Sequence, residues 1–194
     1  MAITYPISLP DEIGIAEIEL RARNAVAISQ SPFTFQTQTH TYPGQMWGAT
    51  ITIPPVLKER AEPWVAFLLA LRGPSGTFLL GDPNNIAPRG TATSATITGS
   101  TGDTSVTVAM TGTLLAGDYI QLGSGSSSRL HKVVVDQDGN GTLEIWPALR
   151  ADHTSTSADL TEAKGVFRLS TGEQSWSINN ASSYGISFDC MEVV

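Results

Sequence analysis

The chain has 194 residues, of which 41% are hydrophobic and only 15% are charged, whereas about 25% of an average globular chain is charged. The net charge of −7 and the absence of a basic run argue against nucleic-acid binding, since lysine and arginine hold phosphate backbones. The single cysteine, Cys190, excludes an intrachain disulfide. We expect it to be a small buried residue on a C-terminal strand. The start of the chain does not resemble a signal peptide, and no apolar run reaches the ~18 residues of a membrane span, so we expect no membrane insertion.

Apolar and polar residues alternate in several stretches near the start of the chain, as is typical of β-strands. The predicted strands are residues 15–20, 25–29, 33–39 and 49–53. A helix follows them, because four apolar residues are spaced i, i+3, i+4 and i+7. These four are Trp64, Phe67, Leu68 and Leu71. Pro63 is tolerated in a first helical turn, Arg72 suits the last turn and Gly73 suits a left-handed residue after it. The pattern therefore predicts a helix over residues 62–72.

A strand at 77–80 ends at Gly81–Pro83, and the composition then changes to Thr, Ser and Gly. Five short strands at close spacing predict a small barrel or sandwich; they cover 95–98, 105–110, 119–122, 130–135 and 143–146. The segments 166–169, 174–178 and 186–193 resemble the first strands again. We therefore predict a mainly β fold. Residues 1–89 with 166–194 form a discontinuous β-sandwich or split-barrel core that carries the helix, and residues 90–165 form an inserted small β-barrel, OB-like or similar.

A calcium loop is a weak candidate at Asp136, Asp138 and Asn140, which alternate as oxygen ligands before Gly141. The twelfth position of the motif is Pro147, where a bidentate glutamate is required. A hairpin turn in which Asp, Asn and Gly adopt positive φ explains the same residues. We therefore predict a turn and assign no metal site.

Catalytic motifs are missing from the sequence. There is no GxSxG elbow, no Walker lysine and no HExxH, so we expect neither an enzyme nor a cofactor. The histidines His40, His131 and His153 are far apart, and we expect them to be isolated surface residues. Trp64 lies on the helix stripe and is predicted to be buried. Trp47 and Trp176 suit the core, a subunit interface or a carbohydrate-stacking platform.

One arrangement of segments resembles the distal tail proteins of siphophages, which form the tail-tip ring. It comprises Ser31–Thr34, Pro43–Trp47, Thr50–Pro55, Ala61–Pro83 and Pro88–Gly90. Residues 115–122 through 143–150 resemble a barrel-like insertion of some members, and 165–169 with Trp176 complete the likeness. The motif and core residues carried by this resemblance are Ser31, Pro32, Phe33, Trp47, Pro54, Trp64, Phe67, Leu68, Leu71, Gly73, Phe78, Gly81, Asp82, Pro83 and Trp176.

The resemblance implies a structural subunit of the virion tail that forms a hexameric ring at the distal end of the tail tube. Its implied partners are its own copies, the tail tube protein, the tape measure protein and baseplate hub or tail fibre proteins, with DNA only as passing cargo. We expect residues 31–90 to form a packed scaffold whose open strand edges are completed by identical neighbours. The alternatives are a tail tube subunit, a carbohydrate-binding tail module and a cell-wall hydrolase.

Overall fold

The fold is mainly β, and a computed structural model describes it for residues 3–10, 14–179 and 183–194. The elements in chain order are β1 (Glu17–Gln30), β2 (Thr37–Leu57), α1 (Lys58–Leu71), β3 (Phe78–Leu80), β4 (Ala95–Gly99), β5 (Ser105–Met110), β6 (Thr113–Leu114), β7 (Tyr119–Leu122), β8 (Arg129–Val133), β9 (Gln137–Asp138), β10 (Gly141–Trp146), β11 (His153–Asp159), β12 (Gly165–Leu169), β13 (Trp176–Ile178) and β14 (Ser183–Glu192).

The first and last strands of the chain form one antiparallel sheet in the order β1-β2-β14-β12-β3, with β13 also paired to β14. Alternate residues of β2, among them Ala49, Ile51 and Ile53, are buried beneath α1. Aromatic rings fill this core: Phe67 of the helix lies 5.4 Å from Phe78 and 6.4 Å from Phe188, centroid to centroid. The alternating apolar residues of the strands and the apolar stripe of the helix thus pack into one apolar layer.

The closed barrel has the strand order β10-β5-β4-β11-β7-β8, and β6 and β9 form a separate pair beside it. Residues of one parity point inward along β5 and are buried, while those of the other parity are exposed, as barrel closure requires. The two parts of the fold share packing, because Tyr119 and Leu130 of barrel strands belong to the apolar cluster of the sheet. The division into two domains at residues 90 and 165 stays a prediction.

The helix begins at Lys58, four residues earlier than predicted, and Pro63 lies inside it. Pro63 has no backbone N–H, so it cannot donate a helical hydrogen bond. The turn before it contains charged, exposed residues. Arg72 is not part of the last turn, because it adopts the left-handed conformation at φ 51° and ends the helix. Gly73 follows with φ 67°, the conformation that the sequence predicted for it.

Residues 25–29 are in a strand, as predicted, but they belong to β1, which continues through them. The strand predicted at 33–39 begins only at Thr37, because residues 33–36 belong to the turn before β2. Ser31, Pro32 and Phe33, expected within the packed scaffold, therefore lie at the tip of a long hairpin, and Phe33 is 91% exposed. The strand β11 was not predicted at all. Its sequence, HTSTSAD, buries only Ala158, so it lacks the apolar alternation that identifies a strand.

Candidate assembly interface

A two-stranded arm, residues 25–44, projects from the sheet. The pairing of β1 with β2 continues to Gln30 and Thr37, whereas β14 pairs with β2 only as far as Gly48. Within the described ranges, the arm therefore has no third strand on either edge. An isolated two-stranded hairpin is marginally stable in water, and its free edges offer unpaired backbone groups to another chain.

The arm carries no Asp, Glu, Lys or Arg and exposes large apolar side chains on both faces. Val26 and Ile28 lie on one face, and Tyr42 lies on the other, where its ring meets His40 edge-on at 4.6 Å. Natural edge strands are commonly protected by charges, especially lysine. A long ribbon that has no charged residues and exposes large apolar side chains is instead typical of a surface that another protein covers.

The tip of the arm is an ordered turn that presents two phenylalanines. The hydroxyl of Ser31 accepts from the backbone N–H groups of Phe33 and Thr34 at 3.4 and 3.3 Å, and Phe35 donates its N–H to the Ser31 carbonyl at 2.9 Å. Phe35 has φ 55° and is 72% exposed; positive φ is rare for a bulky residue. Burial of each ring would contribute about 1.5–3 kcal/mol. The tip therefore has a defined shape and a substantial apolar area to bury.

The other residues that carry the resemblance to distal tail proteins lie in the sheet and its core. Trp47, Trp64, Phe67, Leu68, Leu71, Gly73 and Phe78 are buried; Pro54, Gly81, Asp82 and Trp176 are half-buried; and Pro83 is exposed. Pro54 sits in a β-bulge where Ile53 and Val56 of β2 pair with β14, a position that tolerates proline. Asp82 accepts the N–H of Asn84 through its side chain and thereby forms a turn.

All four tryptophans lie in the described ranges, and each is buried or half-buried. Trp47 and Trp146 pack edge-to-face with centroids 4.5 Å apart, and the Trp146 indole N–H is bound to Asn24. The structure thus places Trp47 in the core between sheet and barrel rather than on an exposed platform. Glycan binding stays a prediction, and no arrangement of tryptophans in the described ranges supports it.

His131 is buried, contrary to the expectation of a surface residue, because closure of the barrel places it beside the chain at Pro147. Its Nδ1 lies 2.8 Å from the Pro147 carbonyl, which fits a neutral ring that donates there. Burial is the main cause that lowers the pKa of His131 from 6.5 to about 4; the charges of Arg150, His153 and Arg129 act in the same direction, and the Pro147 carbonyl opposes them. His40 is exposed and His153 half-buried.

Two buried carboxylates are engaged in structural hydrogen bonds. Burial alone would raise the pKa of Asp118, but the backbone N–H groups of Leu115, Arg89 and Gly90 and the Arg89 guanidinium lower it below its ordinary value. Burial raises the pKa of Glu192, partly offset by the Trp47 N–H and Arg150. Cys190 is buried on β14, as predicted, and burial raises the pKa of its thiol to about 12.

The proposed calcium residues already serve the fold. Asp136 accepts the N–H of Ala116 at 2.7 Å, and Asn140 accepts the N–H of Met110 at 2.8 Å. Gly139 between them has φ 62°, which fits a turn. Across the described ranges, no group of three or more His, Cys, Asp or Glu residues is arranged to hold a metal ion.

Comparison with protein-family models and with curated proteins found no match to this chain. Among the residues that the structure describes, no helix has the length and apolar character needed to cross a membrane.

Proposed function

We propose that this protein is a structural subunit of a bacteriophage tail and assembles, through its arm, into a ring at the distal end of the tail tube. The observation that carries the proposal is the arm itself: twenty uncharged residues with two exposed phenylalanines at the tip and, among the residues that the structure describes, no third strand on either edge. The resemblance of the segments between Ser31 and Gly90 to distal tail proteins supports the same function.

The partner best suited to the arm is a second copy of the chain. An uncharged ribbon gives no electrostatic steering toward a charged surface, so its contact depends on apolar burial and backbone pairing. A head-to-tail contact of identical chains closes into a ring when its rotation permits. Tail tube, tape measure, baseplate hub and fibre proteins are the expected neighbours of such a ring, and DNA passes through it.

Light scattering after gel filtration, with negative-stain electron microscopy, tests this proposal. We expect the wild-type protein to form rings, and a Phe33→Ser, Phe35→Ser double variant to remain folded but monomeric. A Val134→Ser, Val135→Ser variant is the matched control, because it also removes two exposed apolar side chains, from the barrel; it should still form rings. A wild-type protein that stays monomeric at high concentration would contradict the proposal.

The same images distinguish the two stations in the tail. A distal ring subunit should give one or a few stacked rings, whereas a tube subunit should extend into cylinders. Immunogold labelling of virions of the encoding phage should mark one end of the tail for a distal ring. Labelling along the whole tail would favour the tube subunit, and no labelling would refute the tail function.

A further inference from the structure

The arm leaves the sheet at an irregularity in the β1–β2 pairing. Asn24 pairs with Gln45, but the next pair is Val26 with Thr41. One residue of β1 therefore lies opposite three residues of β2, among them Pro43, which cannot donate to the ladder. Bulges of this kind bend a ribbon and increase its twist. The direction of the arm is therefore set at this irregularity and the adjacent Asn24–Gln45 pair, here called the arm root.

The barrel holds the last regular pair before the bulge. The indole N–H of Trp146 donates to the side-chain oxygen of Asn24 at 2.8 Å, and the backbone N–H of Ala148 donates to the side-chain oxygen of Gln45 at 2.8 Å. The Arg150 guanidinium donates to the Gln45 backbone carbonyl. All three donors belong to residues 146–150, which comprise the last residue of β10 and the four residues after it. This single segment, here called the brace, is bound to both strands of the arm root.

The brace is itself fixed in the junction between barrel and sheet. Arg150 pairs with Glu192 at 3.3 Å, where only 14% and 1% of the two side chains are exposed. Glu192 also accepts the backbone N–H of Trp47 at 3.0 Å, and the Pro147 carbonyl is bound to His131 at 2.8 Å. Buried hydrogen-bond networks of this kind make a structure rigid. Beside the root, a groove of about 510 Å³ is lined by Arg150 and residues of both arm strands, so neighbouring atoms do not fill the space around the bulge.

We propose that the brace fixes the angle between the arm and the barrel, so that the barrel sets the direction in which the arm meets another chain. The importance of this angle for assembly rests on the proposed function, because the angle matters to assembly only if the arm docks on another chain. The mechanical coupling itself needs only this chain. Gln45 is then a positioning residue, since its two oxygens accept from two different residues of the brace.

The distance between arm and barrel can be measured with spin labels on cysteines introduced at Ser29 and Thr107, both exposed. Cys190 stays unlabelled, because it is buried and its thiol pKa is about 12. Dilution with unlabelled protein restricts the signal to distances within one chain. We expect a narrow distribution in the otherwise wild-type chain and a broader or shifted one after Gln45→Ala.

Two further variants identify the cause. Gln45→Glu keeps an oxygen that accepts from Ala148, so it should restore the narrow distribution. Gln38→Ala makes the same truncation on the exposed arm beyond the bulge and should change nothing. Trp146→Phe removes the donor to Asn24 and retains a ring against Trp47, so it should broaden the distance distribution. If thermal melting shows that Gln45→Ala is unfolded, Trp146→Phe is the test in its place.

A broad distribution in the wild-type background, or an unchanged one in both Gln45→Ala and Trp146→Phe, would overturn the coupling. Ring formation is scored separately on the same proteins. If ring formation depends on Phe33 and Phe35 but the distances are unchanged in Gln45→Ala and Trp146→Phe, only the coupling is refuted. A missing ring with a distance change in those variants refutes the assembly function and leaves the coupling standing.

Discussion

Trp47 of the sheet donates its indole N–H to the carbonyl of Leu130 in the barrel at 2.9 Å, although 83 residues separate them in the chain. Trp47 is 4% exposed, and its ring packs against Tyr119 of β7 and Trp146 of β10. Trp47 therefore joins the two parts of the fold by a buried hydrogen bond and by apolar contact.

Replacement of Trp47 separates these two contributions. Trp47→Phe keeps an aromatic ring but leaves the buried Leu130 carbonyl without its donor, which should cost about 1–3 kcal/mol. Trp47→Ala also creates a cavity and should cost about 3–5 kcal/mol. Urea unfolding measures both. Trp176→Phe at the half-buried β13 position is the control and should cost less; equal losses would deny Trp47 its role in the junction.

His131 should make folding stability fall in mild acid. Its pKa is about 4 in the folded chain and 6.5 ordinarily, so between these values the unfolded chain binds more protons. The free energy of unfolding should therefore decrease as pH falls through this window, by at most about 1.4 kcal/mol per pH unit and about 3 kcal/mol in all.

The comparison with His131→Gln isolates this effect in urea unfolding at several pH values. The wild-type protein should lose stability relative to the variant as pH falls from 6.5 to about 4. Asp118, whose pKa is lowered, and Glu192, whose pKa is raised, titrate in both proteins, so their contributions cancel in this comparison. A wild-type protein whose stability has the same pH dependence as the variant would show that His131 titrates normally.

Gly81, in the turn after β3, should not tolerate a side chain. A Cβ atom at this position would lie 2.1 Å from the carbonyl oxygen of Ala163, so the turn after β3 would have to move. Gly81→Ala should destabilise the fold by about 1–3 kcal/mol. Gly172→Ala is the matched control, since its Cβ meets nothing within 4 Å and the substitution restricts the unfolded chain. Thermal melting should separate the two variants, and equal melting temperatures would contradict this prediction.

Calcium should leave the stability unchanged. Asp136 and Asn140 already accept backbone N–H groups, and binding would require these bonds to be broken. A ligand present at 100 times its dissociation constant would stabilise the fold by about 2.7 kcal/mol. Melting curves in millimolar calcium and in chelator should therefore coincide, whereas a rise in melting temperature that the chelator reverses would establish a site.

Local pattern predicted those parts of the fold in which burial follows sequence spacing. The alternation of 105–110 gave β5 with its exact bounds, and the stripe of Trp64, Phe67, Leu68 and Leu71 gave the buried face of α1. The pattern failed where a strand forms without burial of its side chains. β11 is a strand with almost no buried side chain, and the arm is a strand pair whose apolar residues face solvent.

The junction could not be predicted because it depends on contacts between distant residues. Glu192 accepts from Trp47 across 145 positions, and Trp146 donates to Asn24 across 122. Each of these residues has a local pattern that fits a surface strand equally well. His131 was misjudged for the same reason, since only closure of the barrel brings it to Pro147.

Every strand of the closed barrel has a neighbour on each side, so the backbone groups of these strands are hydrogen-bonded within one molecule. Extension of the sheet from chain to chain can run only through strands such as β1, which ends it. Amino-acid changes on the outer wall of the barrel therefore leave such pairing intact. In the proposed ring, that wall is therefore free to diversify toward different contacts while the pairing between successive copies stays constant.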